Sequence, residues 1–397
     1  MRSDLISRMV ILSSNSPTDT STFRAMVRLV SWSKESGGRD GCRPRIRNNR
    51  EQRTIKPRLR DRKREFTMAK SEKYLVVRVG RGGDLVMITP ALRALLDARP
   101  EAEVHLLTMK EGARVLRGFD PRVTRVWDYS RRFPSRLLQE RRLKSALRTE
   151  DYHAVLCFET RPFYRKWLGE LASSWHGLET SPPPAHFTDG CLDLVAAAVD
   201  EPIMRGALEL PVSDEGRTRA RALLADHGVN PDARLVGLHA TFSGSGNPLK
   251  DRRGRRHRQW PTASWAELAR LLRQGARERD MEVEVIIDSL PEEYELVAPI
   301  AAASDGAVKV LTAPPDFERY KGLLAELDLL VSPNTGPMHM AAALGTHVVA
   351  LFSGWSTLDC GPYTPAERQD IMTPPAGNER LAAIKPAEVA TRVLSRF

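Results

Sequence analysis

The chain has 397 residues, 41% of them hydrophobic and 28% charged. That is a globular composition of a length that suits two domains, and no apolar run approaches the ~20 residues of a membrane span. The net charge of +11 would mark a nucleic-acid or membrane binder if it were spread over the fold, but residues 1–67 hold 17 of the 61 Lys/Arg and 7 of the 50 Asp/Glu, which leaves 44 against 43 on the rest.

Residues 1–67 lack sustained periodicity, and "RDGCRPRIRNNREQRTIKPRLRDRKRE" is arginine-rich and broken by Pro44 and Pro57. A disordered basic tail is expected there. It reads as an arm for RNA or anionic lipid, or as an upstream extension ahead of Met68 that is no part of the working protein. Nucleic acid is not an expected partner except through this tail. Cys42, Cys157, Cys191 and Cys360 are far apart and form no CxxC. Free thiols in a reducing compartment follow, and with no signal-peptide pattern a cytoplasmic location is expected.

From Tyr74 onward, apolar runs of strand length alternate with helical patterns. The first series is Tyr74–Val79, Val104–Thr108, Thr124–Trp127 and Ala154–Phe158. The second is Leu235–His239, Val283–Asp288, Val308–Leu311, Leu327–Ser332 and His347–Phe352, with helices such as Ser264–Glu278 and Phe317–Ala325 between strands. Alternation of this kind implies parallel sheets with right-handed crossovers. Two doubly wound α/β domains are expected, at residues 68–205 and 206–397, joined near "DEPIMRGALELPVSDEG". Ligands should bind at the carboxyl ends of the strands, in the cleft between the domains.

The first strand leads into "GRGGDL", with Gly80, Gly82 and Gly83. It is no dinucleotide fingerprint, because residue 85 is Leu, and no P-loop, because Gly-Lys-Ser/Thr is missing. The glycines imply positive φ or close approach by a ligand. Asp84 reads as a helix cap or as a carboxylate that takes a proton from an incoming hydroxyl; the two roles are compatible. Leu85, Ile88, Leu92, Leu95 and Leu96 form a core stripe. Pro90 should bend this helix or mark a fresh start with Thr89 as cap.

In the middle, "HATFSGSGNPLKDRRGRRHRQWP" follows a strand that ends at His239. Most of its arginines read as a solvated charge run, while Arg258, beside Trp260, suits a phosphorylated ligand. Further on, "SPNTGPMHMAAALG" reads as a turn and a small-residue helix. Asn334 and Thr335 are cap candidates, Gly336 permits close approach, and Pro337 fits a first turn. The junction reads as an anion site or as an ordinary capped turn, and His339 as a ligand donor or a packed side chain.

At these three places the chain resembles glycosyltransferase family 9, the heptosyltransferases of lipopolysaccharide core synthesis. The residues are Gly83-Asp84 with Thr89-Pro90-Ala91-Leu92-Arg93, then His239-Ala240-Thr241 with Arg258-Gln259-Trp260-Pro261, then "NTGPMHMAAALGTHVVALFS" from Asn334 to Ser353. The likeness implies a GT-B architecture of two Rossmann-like domains, with acceptor on the first and nucleotide-sugar on the second. It implies inversion without a metal or other cofactor, ADP-heptose as the expected donor, and a lipopolysaccharide-core or related glycan acceptor. A lipid acceptor would bring peripheral contact with the inner membrane. By resemblance, Asp84 matches the catalytic base, beside the acceptor-side turn Gly82-Gly83. Thr241, Arg258, Asn334, Thr335, Gly336 and His339 match the donor site, and Glu292 or Glu293 the donor ribose. The chain departs from the family at Asn334, where Asp is usual, at Phe352-Ser353-Gly354-Trp355 and at Ser289-Leu290-Pro291. Two other classes compete with this reading: a nucleotide-binding α/β enzyme such as an oxidoreductase or epimerase, and a polyanion-binding protein acting through the tail.

Overall fold

The computed structural model describes residues 72–130, 135–180, 186–242, 257–354 and 357–397. The tail expected over residues 1–67, the basic stretch from Lys250 to Arg256 and Trp355 lie outside the described residues.

The first sheet holds β1 (Lys73–Val77), β2 (Glu103–Thr108), β3 (Val123–Asp128), β4 (Tyr152–Cys157) and β5 (Ala172–Gly177), all parallel, in the order β3-β2-β1-β4-β5. The second holds β6 (Arg234–Leu238), β7 (Val283–Ser289), β8 (Lys309–Thr312), β9 (Leu329–Pro333), β10 (His347–Leu351) and β11 (Gln369–Met372), also parallel, in the order β11-β10-β9-β6-β7-β8. In each sheet the strand order reverses about its first strand. β1 lies between β2 and β4, and β6 between β7 and β9. These reversals are the switch points at which doubly wound sheets open a crevice.

The apolar runs became strands because both faces of the sheets are covered. One face of the first sheet packs Leu75, Val77, Val155 and Trp167 together. One face of the second packs Val236, Ile287, Val331 and Trp265. A third apolar cluster, from Leu85 and Leu92 to Leu330, Met340 and Phe352, runs continuously across both sheets.

Several local expectations change. β5 ("ASSWHG") and β11 ("QDIM") carry no apolar run, which an edge strand, paired on one side only, can do without. The helix after β1 breaks in two, Gly82–Val86 and Thr89–Ala98. Ile88, not Thr89, stands at the second cap, with Pro90 in the first turn. The Thr89 hydroxyl instead donates to the Val86 carbonyl at 2.7 Å and accepts the Glu209 N–H at 2.9 Å. Arg93 adds Nε and Nη2 to the Glu209 carboxylate, at 3.0 and 2.9 Å. Thr89 and Arg93 thus hold the irregular segment that runs from the helix Phe187–Val199 to the helix Asp214–Asp226. From the other sheet, the buried Lys321 ammonium donates to the Pro211 carbonyl at 2.6 Å.

Candidate active site

The helix Gly82–Val86 starts at the carboxyl end of β1 and packs against the helix Gly336–Ala343, which starts at the carboxyl end of β9. The contact is backbone on backbone. A Cβ on Gly83 would lie 2.7 Å from the Gly336 Cα, and one on Gly82 would lie 2.4 Å from the Met340 Cε. This corrects the reading of the glycines. None of Gly80, Gly82 and Gly83 has positive φ, and Gly82 and Gly83 sit inside a helix rather than a turn. What approaches them is the other half of the protein. Gly80 makes room for Asp84 itself, whose Cβ would be 2.3 Å from an added methyl.

Asp84 stands third in its helix, behind Arg81 at the cap position. Its Oδ2 accepts the Arg81 N–H at 2.9 Å, so it satisfies an orphan donor from inside the helix. Its Oδ1 accepts from Arg78 Nη2 at 2.7 Å. The carboxylate is still 38% exposed, so lone pairs remain open to an incoming hydroxyl. Arg78 is buttressed in turn. Its Nη1 donates to the Phe158 carbonyl at 3.2 Å, lies 3.6 Å from the buried Glu159 carboxylate, and the guanidinium stacks 4.3 Å over the Phe187 ring. Glu159 also accepts the Val79 N–H at 2.9 Å, which ties the end of β4 to the end of β1.

Across the contact, Thr335 occupies the cap of Gly336–Ala343 without capping it. Its hydroxyl donates to the Pro333 carbonyl at 3.2 Å and pairs with Ser332 Oγ at 3.0 Å. Asn334 does not cap either; its Nδ2 donates to Cys360 Sγ at 3.3 Å. The first-turn N–H groups therefore keep their positive ends free of any side-chain acceptor, as a phosphate site requires. Burial raises the Cys360 thiol pKa, with the charges of Asp359 and Asp84 raising it further and Arg258 and the Asn334 amide opposing. Asp84, Arg258, Asn334 and Cys360 therefore share one neighbourhood.

His339, one turn into the same helix, is buried beside Gly83. Burial pushes its pKa down to about 4, against the pull of Asp84, so the ring is neutral at neutral pH. Its Nδ1 has no hydrogen-bond partner among the described residues. Thr241 is buried four residues after Gly237 of β6. Trp260 does not face a ligand. It packs edge-on against Trp265, with ring centroids 4.9 Å apart, and donates to the Ile384 carbonyl at 3.0 Å.

Glu292 and Glu293 form a separate group after β7. Glu292 is exposed, and Glu293 is half-buried with its pKa raised by burial. The second lies beside Asp288, the next-to-last residue of β7, which the sequence marks as a strand end but not as a site residue. Burial pushes the Asp288 pKa up to about 6, Glu293 adds to the rise, and Arg319 opposes it from 3.8 Å. A cavity of about 720 Å³ borders this half at Ser353 and Gly354, with Asn378 and Arg380 on its far wall. Asp84 does not line it. Among the described residues no cluster of His, Cys, Asp and Glu is arranged to hold a metal ion.

Residues 252–379 match the model of glycosyltransferase family 9 (heptosyltransferase). A 108-residue stretch is 28% identical to the lipopolysaccharide core heptosyltransferase OpsX of Haemophilus influenzae. The stretch shared with OpsX is 27% of this chain and 29% of that relative. The fold similarity is wider. A family 9 glycosyl transferase from Veillonella parvula superposes with a TM-score of 0.66 at 15% identity, over 81% of this chain and 97% of that one. The ADP-heptose lps heptosyltransferase II of E. coli gives 0.61 at 19% identity, over 82% and 98%. The E. coli heptosyltransferase WaaC, solved with ADP, gives 0.60 at 18% identity, over 82% and 100%. The chain has the GT-B architecture, and the likeness to heptosyltransferases in sequence lies in residues 252–379.

Proposed function

We propose that this chain is an inverting, metal-independent glycosyltransferase of family 9 that moves heptose from ADP-heptose to a lipopolysaccharide-core or related glycan acceptor. The observation that carries the reading is the pairing of opposites at the helix contact: a carboxylate held by Arg78 on one side, an uncapped helix N-terminus on the other. The acceptor hydroxyl attacks the anomeric carbon on the face opposite the diphosphate. The new C–O bond forms as the bond to the diphosphate oxygen breaks, and Asp84 takes the hydroxyl proton. The charge that grows on the departing diphosphate meets Arg258 and the N–H groups at Gly336. Glu293, already half-buried, is the better placed of the two glutamates to accept from the donor ribose hydroxyls. ADP as the nucleotide is supported by the relatives, of which one is an ADP-heptose enzyme and another was solved with ADP. A glycolipid acceptor would place the reaction at the cytoplasmic face of the inner membrane.

Asp84→Asn tests the base. Transfer should fall by roughly 10²–10⁴ while donor affinity is kept. A variant that transfers at nearly the native rate would sink the assignment. Thermal stabilisation by ADP above that by UDP or GDP, which scales as RT ln(1 + [L]/Kd), checks the nucleotide.

A further inference from the structure

We infer that the carboxyl rim of the first sheet docks on an anionic lipid bilayer through Leu137, Leu138 and Phe163 and the cations that flank them. The inference rests on the glycolipid reading of the acceptor for its purpose, but its observations are separate. The helix Ser135–Leu147 begins after β3, and Leu137 and Leu138 in its first turn are 51% and 61% exposed. The helix Pro162–Leu168 begins after β4, and Phe163 in its first turn is 38% exposed. The two helices lie on the same face. Trp167 Nε1 donates to the Glu140 carbonyl at 3.3 Å, Tyr129 bonds Glu140 at 2.6 Å, and Phe163 stacks 5.7 Å from Trp167. All three apolar tips therefore sit at the carboxyl edge of the first sheet, the edge that carries Asp84.

Single exposed apolar residues need no explanation, but these come with a charge pattern. Arg141 and Arg142 follow Leu137 and Leu138 by four residues, so each leucine has an arginine one turn behind it on the same face. Lys166 follows Phe163 by three. Arg141, Arg142, Arg161 and Lys166 have no acidic partner among the described residues, whereas Lys144 is paired with Glu170 at 2.6 Å. Apolar tips with cations set one turn back are what an acyl boundary under a layer of negative headgroups accommodates. An RNA would satisfy the cations and leave both leucines in water. The helix Ser135–Leu147 has 13 residues, and no described helix is long and apolar enough to cross a bilayer, so the contact is peripheral.

Flotation of the full chain with phosphatidylglycerol–phosphatidylethanolamine vesicles tests this. Residues 1–67 attract anionic vesicles by charge alone, so the decisive reading is at about 0.5 M salt, where the Debye length is roughly 4 Å. The native chain should stay partly bound there. The variant Leu137→Ser/Leu138→Ser/Phe163→Ser should lose about tenfold or more in partitioning; Leu137→Ser/Leu138→Ser, at the two more exposed positions, should lose part of it at an unchanged melting temperature, while Phe163→Ser also gives up its ring contact with Trp167. Equal partitioning of the triple variant and the native chain overturns the proposal. So does loss of all native binding at about 0.5 M salt, and so does RNA that strips the chain from vesicles in that salt. Transfer to a soluble acceptor without vesicles should be unaffected in the triple variant. If the native chain transfers nothing yet still binds vesicles, the functional reading fails and the docking surface stands.

Discussion

The two switch points share a topology and differ in chemistry. Each is a strand end followed by a tight glycine-bearing helix start, and the two helix starts touch at Gly83 and Gly336. The first fills its helix start from within. Asp84 accepts the Arg81 N–H, and its other oxygen is held by Arg78, itself braced on Phe158 and Glu159. The second leaves its helix start open, since the Thr335 and Asn334 side chains bond elsewhere. One fold therefore delivers a fixed negative group and a fixed positive pole to the same gap. A symmetric pair of open helix starts would bind two anions and abstract no proton.

The side chain that orients the carboxylate of the first switch point is Arg78, whose Nη2 donates to Asp84 Oδ1 at 2.7 Å. Arg78→Met should produce the largest break in the contrast. Transfer should fall about 10–100-fold through misplacement of the proposed base, and stability should drop by roughly 1–3 kcal/mol, since Glu159 is buried but Asp84 is 38% exposed. Arg78→Lys, which restores charge without the planar fork, should recover stability more than turnover. Donor affinity should be unchanged in both if, as proposed, the donor is held at the Gly336 helix start after β9. If Arg78→Met kept native turnover, Asp84 would need no orientation and its role would be that of a cap. Chemical denaturation and steady-state kinetics read the two effects separately.

The helix contact itself gives the next test, and it is asymmetric. Gly83→Ala puts a methyl 2.7 Å from the Gly336 Cα, a backbone atom that cannot move aside alone, and 3.1 Å from His339 Cδ2. Overpacking at this level costs about 1–3 kcal/mol and should force the two helix starts apart. Gly336→Ala meets nothing nearer than the Gly83 nitrogen at 3.4 Å, an ordinary contact. Its stability should stay within about 0.5 kcal/mol of native. Any loss of ADP binding in Gly336→Ala would then report directly on the open helix start, and equal destabilisation by both substitutions would contradict the packing.

How much of this was legible in the sequence follows from what each feature depends on. Strand–helix alternation is written locally, because buried parallel strands must be apolar on both faces, and the positions of Asp84, Thr335 and His339 at strand ends followed from it. β5 and β11 were illegible because an edge strand can do without an apolar run and these two do, whereas the edge strands β3 and β8 keep enough apolar residues to be read. Arg78 and Glu159 carry no motif; a charge just after an apolar strand was the only signal, and their pairing depends on β1 lying beside β4. The purpose of Thr89 and Arg93 was hidden for the same reason, since Glu209 is more than a hundred residues away in sequence. The glycines were read as ligand-facing because sequence shows that space is needed and not what fills it.

The smallest effect separates the two poles by pH. His339 lies where they meet, and burial holds its pKa near 4 against an ordinary value of 6.5. The folded protein therefore binds this proton less readily than the unfolded chain does. The sign follows: the stabilisation is complete above about 6.5 and drains away as pH falls toward 4. At pH 5.5 the loss from this one residue should be about 1 kcal/mol relative to pH 7.5. His239, half-buried with its pKa near 4, should drain stability in the same direction, while Asp288, raised to about 6, works the other way, gaining stability as pH falls from 6 toward 4. The test is therefore a difference. Melting curves of native and His339→Gln chains at pH 7.5 and 5.5 should show the variant losing less on acidification. Equal losses would mean that the ring is solvated, and that the gap between carboxylate and helix start is already open to water without a substrate.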